Sequence, residues 1–269
     1  MFVGWIRGKT LKDDLESFEA IQSIDSNLVF TSYQSNPSLA FAAYDGNRMH
    51  GLLTAYPFED TIFINNFYYS KELEESDRVR LLSLLLQNIN EARSIISLAK
   101  RGDEKLFEPL GFKPYARFEE LLFSGGGVSF NFSSTTAKSI SQENYQTTLK
   151  KFDKKAWHED RYDYIHNCVA KSSTLMLSNA LGYQHSYIST KGFVKISPWV
   201  MELDTPVEAE KFLRGVIYHR GLKKITAFAP QVKEIIELYE SYSFQRVKQH
   251  TLLYLGSKPK IDLEMIYAL

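Results

Sequence analysis

The chain of 269 residues holds a single cysteine, Cys168. No intrachain disulfide can form, so packing and hydrogen bonds must hold the fold. Such sparing use of cysteine fits a reducing compartment. In the helix-like run Tyr164-Ile165-His166-Asn167-Cys168-Val169-Ala170 it reads as a small apolar residue rather than a nucleophile. Excess charge is missing as well. The 32 basic and 32 acidic side chains cancel, which removes the electrostatic case for nucleic acid or an anionic membrane as the main partner. No run approaches the roughly 20 apolar residues of a membrane span. Met1–Ile6 is too short for the apolar core of a secretory leader, so the expected setting is cytoplasmic.

Metal and nucleotide signatures are also absent. His50, His158, His166, His185, His219 and His250 show no ligand spacing, and no cysteine or carboxylate pattern completes a set, so no metal is assigned. There is no Gly-x-Gly-x-x-Gly, no Gly-x-x-x-x-Gly-Lys-Ser/Thr and no Gly-x-Ser-x-Gly. Ser124-Gly125-Gly126-Gly127 lacks the lysine and following helix of a phosphate loop and reads as a linker. Arg220-Gly221-Leu222-Lys223-Lys224 is too short a basic cluster to suggest nucleic acid and reads as a solvated turn.

What is present is a repetition. Gly51 opens a strand-like run ending in Phe67-Tyr68-Tyr69, and Gly182 opens one ending in Trp199-Val200-Met201, 131 residues on (182 − 51). Phe112 and Phe244 stand 132 apart (244 − 112), and Leu122 and Leu253 stand 131 apart (253 − 122). A period of that length is a whole domain, since solenoid repeats run roughly 20–50 residues. The length agrees with about two domains. The expected division is an N-terminal domain over 1–124, a linker over 125–146 and a C-terminal domain over 147–269.

Each half reads alike. Thr10–Ile24 is an amphipathic helix with Leu11, Leu15, Phe18 and Ile21 on one face and Asp13 and Asp14 near its positive end. Strands follow over Leu39–Tyr44, His50–Phe58 and Thr61–Tyr69, the first two joined by the turn Asp45-Gly46-Asn47. A helix over Glu75–Ala92, a strand over Arg93–Lys100, a short helix over Gly102–Leu110 ended by Gly111, and strand structure over Phe112–Phe123 complete the half. Val128–Phe132 is a candidate extra strand in the linker. The second half runs helix (Tyr145–Lys171, with an interruption), strands (Leu175–Asn179, Gln184–Ser189, Phe193–Leu203), helix (Pro206–His219), strand (Lys224–Ala229), helix (Pro230–Tyr242) and strand (Phe244–Leu255). Pro198 marks a bulge or splay in its third strand. The apolar tail Ile261-Leu263-Met265-Ile266-Tyr267 is expected to dock.

This order resembles the GNAT superfamily of acyl-CoA N-acyltransferases, used in tandem. Leu238-Tyr239-Glu240-Ser241-Tyr242-Ser243-Phe244 is similar to the family's Leu-Tyr-Glu-x-x-Gly-Phe signature, with Ser243 for its glycine. Leu106-Phe107-Glu108-Pro109-Leu110-Gly111-Phe112 is similar with Phe107 for its tyrosine. Asp153, Ala156-Trp157 and Asp160-Arg161 resemble the Asp…Ala-Phe-Gly-x-Asp-Arg segment of a subgroup whose C-terminal domain is a degenerate second copy. The resemblance implies an α/β (α+β) protein of two GNAT-like domains, each a mixed, mostly antiparallel sheet flanked by helices. It further implies acetyl-CoA as cosubstrate and a small amine as acceptor.

The family holds the CoA pyrophosphate on backbone N–H groups of a Gln/Arg-x-x-Gly-x-Gly/Ala loop, because glycine lets backbone approach and a helix N-terminus favours anions. The first half has Lys71-Glu72-Leu73-Glu74-Glu75-Ser76-Asp77-Arg78 there, with no glycine and four carboxylates. The second has Glu202-Leu203-Asp204-Thr205-Pro206-Val207-Glu208, where Pro206 also removes a donor. An atypical site would use Lys71, Ser76, Arg78 and Arg80 for the phosphates. By the resemblance, Tyr239 matches the tyrosine that protonates the departing thiolate, although its ring can equally serve packing. Glu202, ending the third strand of the second meander, is the candidate general base, while Asn65 and Asn66 can bind substrate but not act as bases. With these loops, two readings stand: an N-acyltransferase with an atypical CoA site, and a non-catalytic ligand-binding or protein-interaction scaffold.

Overall fold

The computed structural model describes residues 1–19, 24–89, 93–125, 145–169, 173–178, 181–189, 192–220 and 222–269. The expected strand over 128–132 and the side chain of Cys168 lie outside the described residues. The elements in chain order are β1 (Phe2–Trp5), α1 (Leu11–Glu19), α2 (Ser26–Ser35), β2 (Ala40–Asp45), β3 (Arg48–Pro57), β4 (Thr61–Tyr69), α3 (Glu75–Gln87), β5 (Ser94–Lys100), α4 (Glu104–Phe107) and β6 (Lys113–Phe123). The second half supplies α5 (Tyr145–Trp157), α6 (Tyr162–Tyr164) running into a π turn (Ile165–Val169), and β7 (Ser173–Ser178), β8 (Gly182–Ile188) and β9 (Val194–Met201). It continues with α7 (Pro206–Arg220), β10 (Ile225–Pro230), α8 (Lys233–Ser241), β11 (Gln245–Leu255) and β12 (Ile266–Ala268). No helix among the described residues is long and apolar enough to cross a membrane.

The chain forms two compact units, one of 1–115 with 251–259 and one of 116–250 with 260–269. The two long strands β6 and β11 therefore change unit along their length. β6 leaves the first unit after Tyr115, and β11 enters it at Thr251.

In unit 1 the strand order is β1-β2-β3-β4-β5, with the end of β11 next to β5. The meander β2-β3-β4 is antiparallel, and β5 joins β4 in parallel after the α3 crossover. Both faces of β2 are covered, which explains why it reads as a continuous apolar run rather than an alternation. Phe41 and Ala43 pack with Leu81, Leu82 and Leu85 of α3. Ala40, Ala42 and Tyr44 pack with Leu11, Leu15 and Phe18 of α1 and Val29 of α2. Two elements were not read from sequence. β1 is short and half exposed. α2 is a polar helix capped by Asp25, whose carboxylate accepts from the Leu28 N–H at 3.2 Å.

In unit 2 the order is β6-β10-β9-β8-β7, with β12 also on β9. β6 pairs antiparallel with β10 from Phe123↔Ile225 to Phe118↔Pro230, and Leu121 and Phe123 enter a core with Phe212, Leu213 and Val216 of α7 and Ile235 and Ile236 of α8. Arg161 is nearly fully buried and clasps Asp153 through two hydrogen bonds at 2.9 and 2.7 Å, while Tyr183 donates to the same carboxylate at 2.6 Å. Its guanidinium lies 3.6 Å from the Trp157 ring centroid. Burial, reinforced by the Asp153 charge, pushes the Tyr183 phenol well up. The sequence segment Asp153…Asp160-Arg161 is thus a buried ion pair tying α5 to the start of α6.

The two signature segments have the same backbone. Gly111 has φ 87° and Ser243 φ 66°. Phe112 N–H donates to the Phe107 carbonyl at 3.4 Å, as Phe244 N–H does to the Tyr239 carbonyl at 3.2 Å. Ser243 therefore holds a left-handed conformation that disfavours any side chain. Ser243→Gly should raise stability by about 1 kcal/mol, read as a higher urea midpoint. Arg161→Ala should cost about 3–5 kcal/mol by stranding the Asp153 charge, and Arg161→Met with Asp153→Leu should recover much of that loss in the same titration.

Candidate functional site

The feature common to both units is a parallel strand pair that separates partway. In unit 1, β4 pairs with β5 only from Thr61↔Ser94 to Ile64↔Ser97. Beyond that the two strands run on, through Asn65–Tyr69 and Leu98–Lys100, without pairing each other. At the point of parting β4 is bulged. Thr54 of β3 opposes Asn66 and Ala55 opposes Ile64, so Asn65 is the extra residue. Such a bulge re-aims side chains beside a site. Here it lets neighbouring asparagines reach one hydroxyl. Thr54 donates to Asn65 Oδ1 at 2.8 Å, and Asn66 Nδ2 donates to Thr54 Oγ1 at 2.8 Å. Asn65 Nδ2 donates on to Ser32 Oγ of α2 at 2.6 Å. Asn66 Oδ1 is buried with no hydrogen-bond partner among the described residues.

β4 then leads to the turn Ser70–Glu74 and the start of α3. Ser70 N–H donates to the His50 carbonyl at 2.8 Å, and Leu73 N–H to the Ser70 carbonyl at 3.3 Å. Gly51 makes room for this turn, since a Cβ there would lie 2.5 Å from Leu73 Cδ2. The Ser70 hydroxyl bonds the exposed Glu72 carboxylate and holds it below its ordinary range. His50 Nδ1 lies 3.1 Å from Ser70 Oγ. Lys71, Ser76 and Arg80 are exposed. Arg78 turns inward, donating through Nε to the Leu73 carbonyl at 2.8 Å and lying 4.3 Å from the Tyr69 ring centroid. These four side chains thus share one turn and the first turns of one helix, with Arg78 engaged in holding the turn.

In unit 2, β9 pairs with β10 only from Val194↔Ile225 to Ile196↔Ala227, and the register of β8 against β9 shifts between Gln184 and Ser186, where His185 faces Ser197-Pro198. The Ser197–Pro198 peptide is cis. Tyr239 is fully buried. Its hydroxyl donates to the Tyr267 carbonyl at 3.1 Å, and its ring lies edge-on to Trp199 and Phe244. Burial drives its phenol well above the ordinary range. Glu202 instead forms an ion pair with Lys155 of α5 and accepts from the Leu203 N–H at 3.1 Å. The Lys155 hydrogen bond holds its carboxyl below the ordinary range. The Tyr239 hydroxyl is thus engaged with the Tyr267 carbonyl and the Glu202 carboxylate with Lys155.

No protein-family model matches the chain, and no curated protein matches it in sequence. Solved structures do match. The "putative acetyltransferase" of Pyrococcus horikoshii superposes over 100% of this chain and 93% of its own, with a TM-score of 0.82 at 17% identity. A GCN5-related N-acetyltransferase from Sphaerobacter thermophilus covers 98% of each chain, with a TM-score of 0.64 at 11% identity. A tandem GNAT protein from the clavulanic acid biosynthesis pathway covers 94% of this chain and 98% of its own, at 0.62 and 11%. The chain has the tandem GNAT fold. At these identities the likeness is one of fold.

Within the GNAT fold, the position of the signature tyrosine is Phe107 in unit 1, buried against Phe67 and Phe112 and without a proton to give. The Ser32–Thr54–Asn65–Asn66 cluster is not legible in sequence as a whole, because Ser32 lies on α2, whose uncharged polar run carries no strong helical periodicity. Its signal was the polar pair Asn65-Asn66 inside a strand otherwise rich in aliphatic and aromatic residues. Among the described residues no group of His, Cys, Asp and Glu gathers to hold a metal. Four lysines of α5, Lys150, Lys151, Lys154 and Lys155, line a shallow surface depression with Asp160, and Lys150 and Lys155 already face Asp160 and Glu202.

His185, buried against Ser197-Pro198 with Nδ1 2.5 Å from the Ser197 carbonyl, is held down by burial to a pKa of about 4 from 6.5. Between those values the unfolded chain binds a proton that the folded chain refuses. Stability should therefore rise with pH from about 4 to 6.5, by up to about 1.4 kcal/mol per unit. Urea midpoints across this window should slope less steeply in His185→Phe.

Proposed function

We propose that the chain is an acetyl-CoA-dependent N-acyltransferase for a small amine, with its site at the parted strands of unit 1, and with the repeats running 1–124 and 147–269. The observation that carries this reading is the coincidence, in one unit, of a parted β4–β5 pair, a bulge at the point of parting, and a turn leading from β4 into the N-terminus of α3. Parted strands leave edge N–H and C=O groups that an extended, amide-bearing pantetheine arm can satisfy. The helix N-terminus beyond favours an anion.

The phosphate end fits only in an altered way. Without glycine, the turn offers little close backbone approach, and Glu72, Glu74, Glu75 and Asp77 oppose the anion. Lys71, Ser76 and Arg80 are exposed on the same turn and helix start, with Arg78 behind them, so the pyrophosphate would be met by side-chain charge rather than by a backbone cradle. Such binding is weak and salt-sensitive. At the bulge the polar groups are amides and hydroxyls. They can orient an amine but cannot remove its proton, so the amine must attack the thioester carbonyl in its neutral form. Tyr239 could protonate a departing thiolate only by releasing the Tyr267 carbonyl, which leaves unit 1 as the better home for the reaction. The glycine-free turns favour the competing reading, a GNAT-fold scaffold without catalysis.

Calorimetric titration with acetyl-CoA and CoA separates the two. The transferase reading expects saturable binding that weakens as salt rises, and a loss of about thirtyfold on joint Lys71→Ala and Arg80→Ala, since each charge-assisted phosphate contact is worth roughly 1 kcal/mol. Turnover of an amine should rise with pH until the amine's own pKa is passed. Absence of heat and of thermal shift at millimolar CoA would leave the scaffold.

A further inference from the structure

The parted strands of the two units are not equivalent. In unit 1 no described strand enters between β4 and β5 beyond Ile64↔Ser97. In unit 2 the same space is filled. β12 runs antiparallel to β9 beyond its last pair with β10, placing Ile266 opposite Val200 and Ala268 opposite Trp199. The Leu269 N–H then donates to the Phe228 carbonyl of β10 at 3.0 Å. One short strand thus answers backbone groups on both sides of the parting.

It is also firmly seated. Met265, Ile266 and Ala268 are within 1% of full burial. The Tyr267 ring lies 4.9 Å from that of Trp199, and its carbonyl receives the Tyr239 hydroxyl. Upstream, Asp262 N–H donates to the Ala156 carbonyl at 2.8 Å, and the Asp262 carboxylate meets His158 at 3.2 Å. An acyl-CoA entering this cleft would have to displace an ordered strand, uncover an apolar core and break the Tyr239 hydrogen bond.

We propose that β12 is a resident occupant of the cleft in unit 2, an internal strand standing where a thioester ligand would lie, so that the chain carries one acyl-CoA site and that site is in unit 1. The occupancy of the cleft stands on its own; the count of sites rests on the acyltransferase reading. The duplicated fold would then divide its roles, with the second copy closed to ligand and its signature tyrosine committed to holding the closing strand.

Two measurements test this. Hydrogen exchange of the chain without ligand should show the amides of 266–269 protected as strongly as those of β9. Rapid exchange there would overturn the proposal whether or not any CoA binds. In a Cys168→Ala background, Val200→Cys with Ile266→Cys places two thiols on directly opposed residues, and oxidation would lock β12 in place. The locked protein should bind acetyl-CoA at one site per chain and turn over as its reduced form does, the reduced form serving as the folding control. Loss of binding or turnover on locking, restored by reduction, would show that unit 2 must open, and a stoichiometry of two would refute the single site. If neither form binds acetyl-CoA, the acyltransferase reading fails, and the exchange data still decide whether the cleft is closed.

Discussion

A β-strand that loses its neighbour halfway along its length leaves a row of backbone donors and acceptors that something must satisfy. That constraint arises in both units, because a parallel pair made by a helical crossover separates after a few residues, at Ile64↔Ser97 in one and Ile196↔Ala227 in the other. The units answer it differently. Unit 2 inserts a strand of its own, β12, and buries aromatic side chains around it. Unit 1 keeps the parting free of any described strand and surrounds its start with hydroxyls and amides. A closed cleft gains stability from burial, whereas an unfilled one retains the capacity to take a ligand.

The two long strands β6 and β11 raise the same question of edges. An unpaired edge strand invites unwanted pairing. β6 and β11 each change unit along their length. β6 supplies Leu121 and Phe123 to the core of unit 2. The end of β11 supplies Leu253 to the core of unit 1, where Thr251 also donates to Glu104 at 2.9 Å. Neither half of the sequence therefore completes a unit alone.

Buried polar groups mark where packing alone does not specify the structure. The Asp153–Arg161–Tyr183 cluster is saturated with partners and fixes α5 against β8. Its cost in desolvation is offset only because every member is paired, which makes it sensitive to the loss of any one. His185 is another such group, kept neutral by burial behind the irregular Ser197-Pro198 stretch of β9.

The sequence by itself determined the fold class, the repeat and most of the elements. Apolar periodicity, turn residues and the signature segments are local properties, and they survive even where Ser243 replaces a glycine, because the φ of 66° shows that the backbone kept its shape. The glycine-free turn after β4 and its four carboxylates were likewise legible, since they are facts of composition at a known place. Ser32 and Thr54 meeting Asn65 could not be read, because a bulge moves side chains by one register and leaves no sequence mark. Nor could the sequence distinguish a Tyr239 poised for proton transfer from one held by the carbonyl of Tyr267, 28 residues away. Tertiary structure decided these matters. Which strand fills a parting, and which side chain faces it, depends on contacts between segments far apart in the chain that no local pattern encodes.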